Sequence, residues 1–233
     1  MRLRRLPPSG VGGADRRAGR MASIRGIPTG NVSYLEFLAP GILAQSALFV
    51  AIFYGISTIW ERDLGILAKY LASPSPRGAL VLGKGLGAGV RALSQAVVVF
   101  VLALLLHVPL RASVLGLIAI VAIVMLGAAI FCTFSLIIAC LVKTRERFMG
   151  IGQVLTMPLF FASNAIYPMS IMPSWLRAIA VANPLTYQVD ALRALMLRAS
   201  PSAFGLSTDF AVLGGVLVML VWIASRLYPT ILY

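Results

Sequence analysis

Between Arg111 and Lys143 no charged side chain interrupts the chain, and the run Ala112–Val142 is apolar almost throughout. Such a run constrains the fold more than any other feature. A helix needs roughly 20 apolar residues to cross ~30 Å of hydrocarbon. In lipid every backbone polar group must be satisfied within the protein, which leaves helices and closed barrels. Ala112–Val142 is longer than a crossing requires, so it is expected to tilt or to include loop at one end. Four further runs read the same way. They are Phe37–Trp60 with Pro40 near its start, Ala92–Leu110 with its helix beginning near Ala79, Phe148–Pro168, and Phe210–Ser225. Pro158 is expected to kink the fourth of the five. With 60% hydrophobic and 12% charged residues, the chain lies far from the ~45–50% and ~25% of soluble domains. The expected fold is an all-α, polytopic transmembrane helix bundle with five spans.

That setting changes the meaning of the net charge of +13. Lys and Arg in a membrane protein mark cytoplasmic loops, and anionic lipid is the default acidic neighbour, so nucleic-acid binding is not implied. Alternating the five spans gathers Arg62, Lys69, Arg77, Lys84, Arg91, Lys143, Arg145, Arg147 and Arg226 on one side. The other side, downstream of the first span, holds only Arg111, Arg177, Arg193 and Arg198. The stretch 60–77 and the loop 143–147 are therefore expected in the cytoplasm. Residues 1–30 form an Arg/Gly/Pro-rich tail with no run to bury and no signal-peptide core, expected to be disordered, ahead of a membrane domain at 31–233. The same alternation puts this tail outside, against its seven arginines, and one more span upstream of Gly26 would remove the conflict. Cys132 and Cys140 sit in an apolar run and read as packing residues. No carboxylate falls inside the five runs, which counts against a proton-coupled carrier or an intramembrane protease.

One polar stretch interrupts this pattern, WERDLGILAKYLASPSPR from Trp60 to Arg77. Glu61, Arg62 and Asp63 open it. Leu64, Leu67 and Leu71, with Ile66 and Tyr70, then fall at helical spacing and predict one apolar face on a short helix. Pro74 and Pro76 end that helix. A short amphipathic helix between spans lies at the interface and can dock a soluble partner, although a plain interhelical loop has the same pattern. Glu61 is placed to cap the helix start or to pair with a basic residue across such an interface.

Between Met169 and Asp209 the chain is too apolar for an ordinary loop and reads as two short helices broken at Asn183-Pro184. Pro173 suits a first helical turn, Trp175 an interfacial belt, and Asp190 and Arg193 are spaced to pair. Such a pair of helices can dip into the membrane where protein buries its backbone. Gly78–Gly85 comes close to a phosphate-binding loop, but Gly85 stands where the Mg²⁺-holding hydroxyl is needed. Its glycines, with Gly87 and Gly89, are better read as helix contacts. Lys84 and Arg91 are expected to snorkel or to meet anionic headgroups. His107 has no second metal ligand nearby, and no cofactor is implied.

These residues resemble a family. The stretch from Trp60 to Lys84 is similar to the cytoplasmic coupling segment of type-two ABC export permeases, which reads E-R-E-x-G-x-L-x-x-L-x-x-x-P. Glu61, Arg62, Gly65, Leu67, Tyr70 or Leu71, and Pro74 carry the likeness. The stretch YPMSIMPSWLRAIAVANPLTYQVDALRAL resembles a second signature through Pro168, Pro173, Leu176, Asn183, Pro184, Leu185, Thr186, Asp190 and Arg193. YLEFLAPGIL from Tyr34 resembles the start of the family's second span. Daunorubicin-resistance permeases are the nearest kind, and their six spans place one ahead of Ile27.

The resemblance implies a permease subunit with no ATPase of its own, and hence not an enzyme. Two copies would form the path in a bacterial plasma membrane, bind separate ABC ATPase subunits, and export a hydrophobic drug, lipid or glycolipid. It also implies roles. Glu61, Arg62, Asp63, Gly65, Leu67 and Leu71 would couple to the ATPase, and Pro168, Asn183, Pro184, Thr186, Asp190 and Arg193 would form an outer gate. The alternative is a non-transporting membrane scaffold or an inactive truncated permease.

Overall fold

The computed structural model describes residues 34–106, 108, 113–142, 144–197 and 202–228. The Arg-rich tail, His107, Arg111, Lys143 and Arg198 lie outside the described residues. Eight α-helices and one 3-10 turn follow in order: α1 Tyr34–Asp63, α2 Ile66–Ala72, α3 Arg77–Leu105, α4 Val114–Leu141, α5 Arg145–Phe161, the turn Met169–Ile171, α6 Ser174–Ala182, α7 Pro184–Met196 and α8 Leu206–Leu227. There is no strand among the described residues. The molecule is an all-helical bundle.

Helix boundaries follow local chemistry. Gly65 adopts φ +70, a left-handed conformation that a Cβ would oppose. There Leu64 N–H donates to the Trp60 carbonyl at 2.9 Å and Gly65 N–H to that of Arg62 at 2.9 Å, closing the end of α1. Ser73 closes α2 by donating its hydroxyl to the Tyr70 carbonyl at 2.7 Å. Ser113 accepts from Gly116 N–H ahead of α4, and Thr144 accepts from Arg147 N–H ahead of α5. Glu146 in the first turn of α5 suits the positive end of its dipole.

Among the described residues four helices are long and apolar enough to cross a membrane: α1 from Glu36, α3, α4 and α8. The expected fifth crossing, Phe148–Pro168, is corrected. Helix α5 spans 17 residues and stops at Phe161. The Ser163 hydroxyl donates to the Phe160 carbonyl at 2.7 Å and accepts from Ala165 N–H at 3.3 Å. One side chain thus competes with the helical ladder and ends it.

Helix α4 is the hub and packs on α1, α3, α7 and α8. Small residues make the seams. A Cβ on Gly55 of α1 would collide with Ser135 of α4, whose hydroxyl donates to the Ile52 carbonyl at 2.7 Å. Gly85 and Gly89 of α3 lie 3.2 and 3.4 Å from Ala129 and Met125 of α4, measured from an added Cβ. Without a hydrophobic drive between helices in lipid, such close approach supplies the packing. Gly78 and Gly83 have nothing within 4 Å, so only part of the glycine run serves this purpose. The apolar core divides in two. Leu43, Leu48, Phe131 and Leu192 belong to the larger part, and Ile59, Leu67, Leu136, Phe148 and Tyr228 to the part near α2.

Candidate functional site

The elbow formed by the end of α1, α2 and the start of α3 holds the residues expected to couple. Leu67 is 0% exposed, packed among Ile56, Ile59, Val81, Leu136 and Phe148. It therefore anchors α2 to the bundle and offers no surface to a partner. Leu64 at 73% and Tyr70 at 45% exposure point outward, with Lys69 beside them. Leu71 lies in the helix, but its side chain is outside those described. The single apolar face expected from spacing is thus divided, one leucine held inside and one outside.

The acidic residues are engaged as well. Lys84 Nζ meets Glu61 Oε2 at 2.6 Å and donates to Thr58 Oγ1 at 2.9 Å, tying α3 to α1 where both are partly buried. Glu61 does not cap α2, whose N-cap is Gly65 without a side-chain bond. Asp63 accepts from Arg145 Nη2 at 2.8 Å and from Arg62 Nη2 at 3.2 Å, bringing the start of α5 to the elbow. Arg145 also lies 5.5 Å from the centre of the Trp60 ring. The stretch Gly78–Gly85 is continuous helix within α3 and makes no phosphate cradle.

The second expected set surrounds α7. Every residue from Leu185 to Ala194 is buried, so this helix is enclosed on all sides by α1, α4 and α8. Asn183 starts it. Its Oδ1 accepts from Leu185 N–H at 3.0 Å, and its Nδ2 donates to the Leu159 carbonyl at the end of α5 at 2.6 Å. Pro184 takes the first helical position, where a missing N–H costs nothing. Pro168 precedes the 3-10 turn and accepts from Ile171 N–H at 3.2 Å. Thr186 is wholly buried, with no partner for its hydroxyl among the described residues.

Asp190 and Arg193 do not pair with each other. Asp190 accepts from the Ser202 hydroxyl at 2.8 Å and from the N–H groups of Ala203 at 2.8 Å and Phe204 at 3.2 Å. Arg193 Nη2 donates to the Asn164 carbonyl at 2.9 Å, with its guanidinium 3.9 Å from the Phe37 ring centre. Each instead closes backbone groups of a separate segment, Asp190 at 203–204 and Arg193 at 164.

Two residues were not anticipated. Gln188 is fully buried against Gly127 of α4, where an added Cβ would overlap its amide. Asp209 is fully buried in the first turn of α8 and accepts from Ser202 at 3.1 Å. The absence of carboxylates from the spans is thereby corrected, because α8 begins at Leu206, ahead of Phe210. An apolar groove of about 720 Å³ opens beside the break, between Phe134 of α4, Leu155 and Leu159 of α5, and Trp175 and Ile179 of α6.

A bundle of long apolar helices with a clamped elbow and an enclosed half-helix defines a multi-pass membrane protein. The chain belongs to the ABC-2 type transporter family, whose model matches residues 12–197. It is accordingly a transport permease of the ABC class. It is 29% identical over 196 residues to a protein of Cyanophora paradoxa named as a transport permease, ycf38, covering 81% of this chain and 67% of that one. It is 25% identical over 196 residues to the daunorubicin resistance ABC transporter permease protein DrrB1 of Streptomyces coeruleorubidus, covering 84% and 69%.

Proposed function

We propose that this permease exports a hydrophobic drug, lipid or glycolipid across a bacterial plasma membrane. Separate ATPase subunits would seat on the elbow, and a second permease copy would complete the path. The elbow geometry carries this reading. Leu67 seats α2 in the core and the Glu61–Lys84 pair ties α1 to α3 beside it, while Leu64, Lys69 and Tyr70 remain outside. A force applied to that outward face reaches two long helices at once. Gly65 allows the sharp turn, Asp63 links it to Arg145 of α5 while Arg62 braces Asp63, and Leu71 continues the helix. At the other end, Pro168, Asn183, Pro184, Thr186, Asp190 and Arg193 would form the gate. The nearly all-apolar groove beside Asn183 supports a hydrophobic substrate.

Docking is tested by co-purification with a candidate ABC ATPase subunit, together with export normalised to membrane abundance. Leu64→Glu and Tyr70→Glu should abolish association while leaving the chain inserted. Normal association and export in both would overturn the coupling role. The chain should hydrolyse no ATP alone, and turnover that disappears in Lys84→Ala would overturn that. Orientation is read with single cysteines at Glu146 and Ser202, after replacing Cys132 and Cys140. An impermeant reagent should label position 202 in intact cells, and labelling of position 146 instead would invert the topology.

A further inference from the structure

Helices α1 and α3 run side by side with opposite direction, and two basic residues of α3 face α1 seven positions apart. Lys84 finds the Glu61 carboxylate at 2.6 Å. Arg91 finds only an aromatic ring, its guanidinium 4.6 Å from the centre of Tyr54. Seven residues of helix raise Arg91 about 10 Å above the Lys84–Glu61 pair. It stands at the elbow-side start of the charge-free part of α3, which runs from Ala92, and is flanked by exposed Leu86, Val90, Val97 and Val98. Its guanidinium donors have no acceptor among the described residues. A ring face satisfies part of a cation's field but takes none of its N–H hydrogen bonds. A cation at that depth without an acceptor is costly, and such residues mark sites.

The surroundings are shaped to supply what is missing. Arg91 lines an open groove of about 450 Å³ with Val50, Phe53, Tyr54, Ser57 and Trp60. The Ser57 hydroxyl in this groove is buried and has no hydrogen-bond partner among the described residues. One cation, one unused hydroxyl and an otherwise apolar wall match an amphiphile with an anionic head. A second copy of this chain is a poor source of that anion. Glu61 and Asp63 are already paired, Asp190 and Asp209 are buried at the other end, and Glu36 lies at the far end of α1. Exposed Glu146 opens α5 at the elbow end, below this level, and Asp15 lies outside the described residues.

We propose that Arg91, with Ser57, binds the phosphate of an anionic lipid whose acyl chain lies in the α1–α3 groove. Arg91 holds the phosphate by charge-assisted hydrogen bonds. Ser57 donates a further one, and the apolar wall takes the chain. The leaflet is the one on the elbow side, where polybasic surfaces attract anionic lipid. The site stands whether or not the chain exports anything.

Trp60, at the mouth of the groove, reports on it. The full chain carrying Trp175→Phe and Trp222→Phe is placed in bilayer discs with acyl-brominated phosphatidylglycerol or phosphatidylcholine at equal fractions. The expected result is about a five-fold preference for the anionic lipid in quenching Trp60, the scale of one basic residue near a charged bilayer. Arg91→Gln should remove the preference, Arg91→Lys and Ser57→Ala should lower it partway, and Arg145→Gln should leave most of it. Correct assembly of each variant is checked by its elution as a single species. Equal quenching by both lipids, or a preference that survives Arg91→Gln, overturns the site. Displacement of the lipid by inorganic phosphate overturns the lipid assignment in favour of a free anion. Cross-linking of Ser57→Cys between two copies, without lipid preference, overturns it in favour of a protein contact.

Discussion

At the elbow, charges answer charges: Lys84 meets Glu61, and Arg145 and Arg62 meet Asp63, within reach of solvent. Around α7, charges answer backbone. Asp190 closes N–H groups at 203 and 204 and Arg193 closes the Asn164 carbonyl, with Asp190, Arg193 and Asn164 all buried. The first arrangement tolerates loss because water replaces a missing partner. The second does not, since a buried donor left alone has nothing to replace what it lost. The two ends of one bundle should therefore differ in how much a single polar substitution costs.

The largest effect is expected at Asp190→Ala, which removes the charged acceptor of two N–H groups, at about 3–5 kcal/mol for two hydrogen bonds to a charged group. Thermal unfolding in mild detergent measures it, and a loss near zero would erase the contrast. Leu67→Ala is next at ~2–3 kcal/mol, the low end for a buried leucine because short α2 can re-seat. It sharpens the comparison by showing that the elbow is held by apolar packing more than by its charges. Glu61→Ala should cost about 1–2 kcal/mol by leaving Lys84 partly buried and alone, and Lys84→Met should recover most of it. Asp63→Asn should fall below ~1 kcal/mol, because its pair with Arg145 is exposed, and 0.5 M salt should reduce the effect further.

Much of this bundle could be read from residues. Charge-free runs located α1, α4 and α8 to within a few positions, because lipid enforces length and polarity together, whereas α3 starts at Arg77, well ahead of its run at Ala92 and close to the start expected near Ala79. The break at Asn183-Pro184 was legible because capping chemistry is local. The direction of Leu67 was not, since both the lipid and the bundle interior accept a leucine and periodicity cannot choose between them. Lys84 resting on Glu61, and Asp190 on a loop beyond its own helix, depend on long-range register that no spacing encodes. Asp209 was missed because its own charge bounds the apolar run, while the helix starts ahead of it at Leu206.

The side chain of Asn183 leaves one further consequence. One amide receives the loose carbonyl end of α5 and supplies the loose N–H end of α7, so two short helices meet tip to tip across a gap in the chain. Helix α5 starts at the elbow and α7 finishes beside Phe37 and Asp209, at the opposite rim. Together they cover a depth that neither covers alone. The Asn183 side chain, with the Arg193–Asn164 bond, splices the two pieces, and a splice can swivel where a continuous rod can only bend.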